Sequence, residues 1–402
     1  MKTVFTCVLM VFCFCAKSDY WTQKANFPAA GREHPFLFSI GGKGYVGCGA
    51  DTVAVLSEFW EYDQALNAWT QKANYPGSTH MGGVGFAIGS KGYAGTGCDY
   101  TTAISYSDFW EYDPLTNNWT QKANFGGGNR SFAVGFSIGN KGYLGTGWSS
   151  GQPAQQDFWE YDPATDQWTQ KTSLTGTQRI LATAFSVGNK GYISTGHNFV
   201  GYFNDCWEYD PVTDAWNQKA NLPAAGRVDA ASFSICEKGF LGIGGESPCL
   251  KDFWQFDPIL NQWLQKADFP DHERDDAAYF SIGMKGYIGL GQFNNTVNYL
   301  DFWEYTPDTV CATGMEETTI AIQEFNISVS ASSNELIVTY VLRKKVKVTL
   351  NIMDTSGKHV FQSQPDENSS GTRIQLNGLA KGIYFVELVK GSTTRVKKFV
   401  IR

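Results

Sequence analysis

The stretch DFWEYDPATDQWTQK, Asp157 to Lys171, returns in variant form all along the 402-residue chain. No other feature restricts the fold as strongly. Its first tryptophan recurs as Trp60, Trp110, Trp159, Trp207, Trp254 and Trp303, at intervals of 47 to 50 residues. Two further landmarks keep step. KGY or KGF begins at Lys43, Lys91, Lys141, Lys190, Lys238 and Lys285, and Trp-x-Gln-Lys begins at Trp21, Trp69, Trp119, Trp168, Trp216 and Trp263. Such a period marks one supersecondary unit that cannot bury its own faces and must pack against copies of itself.

Each unit reads as four short strands separated by turn signals: a (FAVGFSIG), b (KGYLGTG), c (DFWEYD) and d (WTQK). Alternation in c puts Trp159 and Tyr161 on one face and Phe158 on the other, so both faces are apolar and need covering. Gln and Lys in d suit an exposed edge. The glycines of b permit close backbone approach. Four-stranded units that need a neighbour on each face pack radially as propeller blades. The chain starts with a d strand at Trp21 and its sixth unit stops after c at Tyr305. The N-terminal strand is therefore expected to complete the last blade.

The repeated Gly-rich b strand with its Tyr, and the Trp after the turn (NNW, DQW), resemble the Kelch-repeat propellers. The resemblance spans Tyr20 to about Tyr305 and implies an all-β, six-bladed propeller over residues 20–306. It implies little about activity, because the same superfold hosts sugar oxidases, sugar mutarotases and pure binding proteins.

The rest of the chain is of two other kinds. The start, MKTVFTCVLMVFCFCAKSDYW, has Lys2, an apolar run from Val4 to Cys15 and then small residues, the pattern of a signal peptide over residues 1–16. No other run is long enough for a membrane span. After a linker at 307–324, residues 325–402 alternate in short strands and read as a small β-sandwich. VTLNIMDTSGKHVF, LNGLAKGIYFVEL and the terminal KKFVIR resemble the C-terminal sorting domain of the Bacteroidetes type IX secretion system, although NISVSASSNEL stands where such domains usually open with Pro-Asn-Pro. This implies partnership with that secretion machinery and a secreted or cell-surface destination.

The net charge of −7 conceals an asymmetry: residues 1–314 hold 20 Lys/Arg against 31 Asp/Glu, and 315–402 hold 12 against 8. An acidic body argues against nucleic acid, which needs a basic footprint. Without Cys7, Cys13 and Cys15, six cysteines remain, none in metal-ligand spacing, and their pairing is open.

The a–b and c–d turns are nearly uniform, whereas the b–c loops vary freely, and strand alternation places them with the d–a loops on one face. Variable loops on a rigid scaffold make that face the expected binding surface. Eleven residues before each KGY lysine stand Arg32, His80, Arg130, Arg179, Arg227 and Arg274, expected to ring the channel mouth. They serve either as structural bonds to loop carbonyls or as an anion site. Arg32, Arg227 and Arg274 have acids nearby in sequence (Glu33, Asp229, Asp275 and Asp276), but Arg130 and Arg179 have none. With Trp148 expected above Arg130 and His197 above Arg179, that sector suits a carboxylate-bearing sugar or peptide.

The sequence reading is therefore a secreted protein that binds a glycan or protein ligand, with no cofactor. The alternative is a sugar mutarotase or epimerase acting on an acidic sugar such as sialic acid, with Asp229, Glu246 or His197 as acid/base group. Copper chemistry of the galactose-oxidase kind fits less well, because His34, His80, His197, His272 and His359 include no pair with ligand spacing.

Overall fold

The computed structural model describes residues 19–78, 80–245, 248–293, 297–308, 322–330, 335–342, 349–354, 358–364, 371–376, 379–390 and 393–401. The expected signal peptide and most of the linker lie outside them. The chain divides into two units, Met1–Val310 and Cys311–Arg402.

Among its described residues the first unit contains six four-stranded antiparallel sheets. Sheet one is typical: a, Phe36–Ile40; b, Lys43–Gly47; c, Phe59–Asp63; d, Ala68–Gln71. The a strands of the next four are Val84–Ile88, Val134–Ile138, Thr183–Val187 and Ala231–Ile235. Sheet six takes Ala278–Ile282, Lys285–Gly289 and Phe302–Thr306 from the chain's later part and Tyr20–Gln23 from its start. Trp21 stands opposite Tyr305 in that antiparallel pairing. Each a strand packs against the a strands of the sheets before and after it, and the sixth packs against the first. This is a β-propeller arrangement.

The repeated phrase builds the contacts between sheets. Phe59 of one c strand meets Tyr112 and Trp119 of the next sheet at 4.7 and 4.9 Å between ring centroids, and Phe302 meets Tyr62 and Trp69 at 4.9 and 5.0 Å. Edge-on aromatic pairs of this kind add about 0.5–1.5 kcal/mol each beyond area burial. Polar staples accompany them. Asn67, in the left-handed conformation at φ 50°, accepts from Tyr62 Oη at 2.8 Å and from the Ala25 N–H of the preceding sheet at 3.0 Å. In sheet six no c–d turn exists to supply this acceptor, and Asp19 takes the place, accepting from Tyr305 Oη at 2.9 Å and from the Ala267 N–H at 2.6 Å.

The second unit has a three-stranded sheet (Ile322–Ser330, Glu335–Leu342, Gly371–Gln375) and a four-stranded sheet (His359–Ser363, Thr349–Met353, Gly382–Lys390, Thr393–Ile401). Leu336, Val338 and Ile374 of the first share one buried cluster with Leu350, Ile352 and Val386 of the second, as two sheets packed face to face require. Cys48, Cys98 and Cys206 are free and buried, Cys249 is buried with Sγ 3.2 Å from Gly245 O, and Cys236 is disulfide-bonded.

Candidate functional site

Arg32, Arg130, Arg179, Arg227 and Arg274 are at most 2% exposed, and each is held by a carboxylate. Arg130 bonds both oxygens of Asp157 at 2.7 and 2.9 Å. Arg179 bonds both of Asp205 at 2.6 and 2.8 Å, Arg227 both of Asp252 at 2.7 Å, and Arg274 both of Asp301 at 2.7 and 2.9 Å. Arg32 bonds Glu58 at 2.7 Å. Each guanidinium also reaches a backbone carbonyl, such as Thr146 O for Arg130 and Thr195 O for Arg179, and Arg179 lies over the Phe203 ring at 4.7 Å. His80, in the same series, is fully buried with Nδ1 2.8 Å from Ser78 O.

The expectation that Arg130 and Arg179 stand without acid partners is thus corrected. A buried guanidinium whose fork is filled by a carboxylate has no geometry left for an incoming anion. The same holds for Arg227 and Arg274, whereas Arg32 is held by one oxygen of Glu58 and by the carbonyls of Ala30 and Cys48. The acid series was visible in the sequence, two residues before each repeat tryptophan, and its members even accept from that indole, as Asp157 does from Trp159 Nε1 at 2.8 Å. It was missed because the partners stand 25 to 27 residues downstream, beyond a search for close neighbours.

The channel mouth is lined instead by the residues two positions further on: His34, Gly82, Phe132, Leu181, Asp229 and Asp276. All six have positive φ, between 49° and 62°. In this conformation backbone bonds run around the mouth from sheet to sheet: His34 N–H to Asp276 O (3.2 Å), Gly82 to His34 (2.9 Å), Phe132 to Gly82 (2.8 Å), Leu181 to Phe132 (3.2 Å) and Asp229 to Leu181 (3.0 Å). Asp and His tolerate the left-handed region, but Phe and Leu do so at a cost of order 1–3 kcal/mol. A Cβ on Gly82 would lie 2.6 Å from the Phe132 ring, so glycine there lets Phe132 reach past sheet two to His34, with ring centroids 5.0 Å apart.

His34, Asp229 and Asp276 come from sheets one, five and six, which are consecutive around the channel. His34 Nε2 lies 3.0 Å from Asp276 Oδ1, and Nδ1 lies 3.7 Å from Asp229 Oδ1. The two contacts set the imidazole between two carboxylates, and Asp276 Oδ2 also accepts from Gln292 Nε2 at 2.8 Å. Burial pulls the imidazole pKa down to about 4 against the raising field of Glu33. Below the mouth, Tyr279 of sheet six reaches to sheet four, where its hydroxyl accepts from Thr183 Oγ1 at 3.3 Å. Thr183 Oγ1 is 2.5 Å from Ser232 Oγ. The whole lines a cavity of about 320 Å³, at the small end of the ~300–1,000 Å³ of ligand sites. Among the described residues, the same trio is the one His/Cys/carboxylate group whose donor atoms all lie within 4.8 Å of one another, as a divalent cation would need.

Trp148 and His197 are not among the residues that line the cavity. Trp148 exchanges backbone bonds with Ser131, and His197 with Ile180, one residue past Arg130 and Arg179 respectively. His197 stacks on Tyr202 at 5.6 Å and lies 5.2 Å from Phe199. Glu246 lies outside the described residues.

The model of the secretion system C-terminal sorting domain matches residues 322–402. The C-terminal unit is a sorting domain. It marks the chain for type IX secretion, to the cell surface or beyond. Its start lies three residues before the boundary expected from sequence. The solved structure of YjhT is similar over 70% of this chain and 97% of its own, at 15% identity and a TM-score of 0.61. That likeness is one of fold. A search of curated proteins finds no match. No helix among the described residues is long and apolar enough to cross a membrane.

Proposed function

We propose that the exported body is a six-bladed Kelch-type propeller, fastened by its N-terminal strand, that performs acid–base chemistry on a sugar at the axial mouth. The reaction class is that of a mutarotase or epimerase. The observation that carries this reading is the His34 imidazole set 3.0 Å from Asp276 and 3.7 Å from Asp229 over a monosaccharide-scale cavity.

Anomer exchange needs a base to take the proton of the anomeric hydroxyl and an acid to protonate the ring oxygen; the open-chain carbonyl then rotates and recloses. In this reading a ring nitrogen of His34 accepts the hydroxyl proton, Asp276 steadies the imidazolium that forms, and Asp229 passes that same proton on to the ring oxygen. Phe132 and Leu181 offer apolar walls to the sugar's C–H face. The test is anomer exchange followed by NMR. Added protein speeds exchange of a substrate sugar, and His34→Asn and Asp229→Asn each lower that catalysed rate at least about 100-fold, the scale of general acid–base catalysis. No acceleration across a broad sugar panel overturns the assignment.

A second reading, ligand retention without chemistry, is favoured by the exposed cluster of Phe199, Val200 and Tyr202 on the fourth b–c loop. It predicts that Phe199→Ala with Tyr202→Ala abolishes retention on a glycan array while His34→Asn leaves it intact.

A further inference from the structure

Three hydroxyls below the mouth depart from the repeat. Tyr279 holds the second place of its a strand, where the other sheets carry Leu37, Gly85, Gly135, Ala184 and Ser232. Thr183 holds the first place of its a strand, where the others carry Phe36, Val84, Val134, Ala231 and Ala278. Sheets with apolar residues or glycine at these places pair a with b in the same register, so the fold does not need the hydroxyls. Yet the three come from consecutive sheets, four, five and six, and meet. Thr183 Oγ1 lies 2.5 Å from Ser232 Oγ and 3.3 Å from Tyr279 Oη. Tyr279 and Ser232 line the cavity, whereas Thr183 is buried outside its lining.

A hydroxyl carries one proton and two lone pairs. Ser232 Oγ also reaches Ala184 O at 3.0 Å, so the chain of hydroxyls has two ordered settings. In one, Ser232 donates to Ala184 O, Thr183 to Ser232 and Tyr279 to Thr183, which leaves Tyr279 Oη with lone pairs to offer. In the other, Ser232 donates to Thr183 and Thr183 to Tyr279, which leaves the phenol proton to donate. Burial raises the pKa of Tyr279, so the phenol keeps that proton at neutral pH. Within such a chain each bond polarises the next, and the hydroxyl at its end becomes the stronger partner.

We propose that Tyr279 is the positioning residue of the mouth, its hydroxyl holding a sugar hydroxyl below the His34 trio as donor or acceptor according to the setting of Thr183 and Ser232. This rests on the reading of the mouth as a sugar site. Interconversion of anomers presents the same hydroxyl in two orientations, and a contact that takes either polarity holds both. Tyr279 follows Asp276 by three residues in sheet six, so one strand carries both the anchor and a member of the trio.

The test uses the full exported chain with its tyrosines carbon-13 labelled at Cζ, and D-glucose, D-galactose, D-mannose and L-fucose as probes. Binding is read by saturation-transfer NMR on the sugar protons, and anomer exchange is followed against sugar concentration. The Tyr279 signal, assigned by its loss in Tyr279→Phe, is expected to shift when a sugar binds. Tyr279→Phe is expected to weaken that binding about fivefold, raising KM with a smaller effect on kcat. Thr183→Val, which keeps the phenol but removes its partner, is expected to weaken binding about twofold to threefold. The Cζ shift is read in the unsubstituted chain, so a variant that melts early does not blunt the test. A sugar that binds without moving the Tyr279 signal, or that binds Tyr279→Phe as tightly as wild type, overturns the proposal and leaves the sugar reading standing. Binding that depends on Tyr279 without accelerated exchange removes the mutarotase reading and leaves this one standing. If none of the four sugars binds, both fall.

Discussion

Replacing Arg179 with Met tests whether the buried cations are structural keystones or ligand contacts. The guanidinium is fully buried, bonds both oxygens of Asp205 at 2.6 and 2.8 Å, caps Thr195 O at 2.9 Å and lies over the Phe203 ring. Asp205 is about one-fifth exposed, so water compensates it only partly once the partner is gone. Its pKa is lowered despite the raising effect of burial, because the bonds and charge of Arg179 and the Trp207 N–H outweigh it. Breaking such a pair from one side costs about 3–5 kcal/mol. For a domain of this size that is a fall of about 6–15 °C in melting temperature. The assay is thermal and urea unfolding of wild type, Arg179→Met, Asp205→Asn and the double variant. The double variant is expected to be less destabilised than the sum of the singles, because it alone leaves no lone buried charge behind. If Arg179→Met melts within about 2 °C of wild type, the keystone argument fails and the guanidinium is available for another role.

Three further outcomes follow from other parts of the molecule. His34, held near 4 in the fold against its ordinary 6.5, makes the unfolded chain bind more protons between those values, so stability falls as pH drops from about 6.5 to about 4, by up to about 3 kcal/mol. His34→Asn should flatten that limb of a urea-midpoint against pH curve, and an unchanged slope would count against the burial of a neutral imidazole. Asp19→Ala removes the acceptor for Tyr305 Oη and the Ala267 N–H and should cost about 1–3 kcal/mol in urea unfolding; no loss would mean that the fastening of sheet six does not depend on it. Deleting residues 322–402 should leave the protein inside the envelope of a host with type IX secretion, read by fractionating cells and medium, and normal export would contradict the role of the tail.

The landmarks Trp60, Lys43 and Trp21 and their equivalents, read at a constant period, already dictate four strands per unit and a strand order that leaves an N-terminal d strand for the last sheet. Local pattern suffices there because strand alternation and turn chemistry act over a few residues. The sorting tail was legible for the same reason, as a run of short motifs in order. The site was not. Arg130 has no acid near it in sequence, yet the Asp that begins the opening phrase, Asp157, fills its fork from the next strand but one. The a and b strands and the b–c loop lie between them, and only pairing within the sheet brings them together.

The mouth trio is a stronger case. His34 belongs to the first unit and Asp229 and Asp276 to the last two, so nothing in local sequence joins them. They meet because the first and sixth sheets are neighbours and because a left-handed residue at the same place in each unit turns its peptide toward the adjoining sheet. Sequence by itself determined the unit, its number of copies and the chain's destination, since those depend on contacts of short range. Tertiary structure alone decided which charges pair and which groups meet at the channel, because charge pairing depends on distance in space.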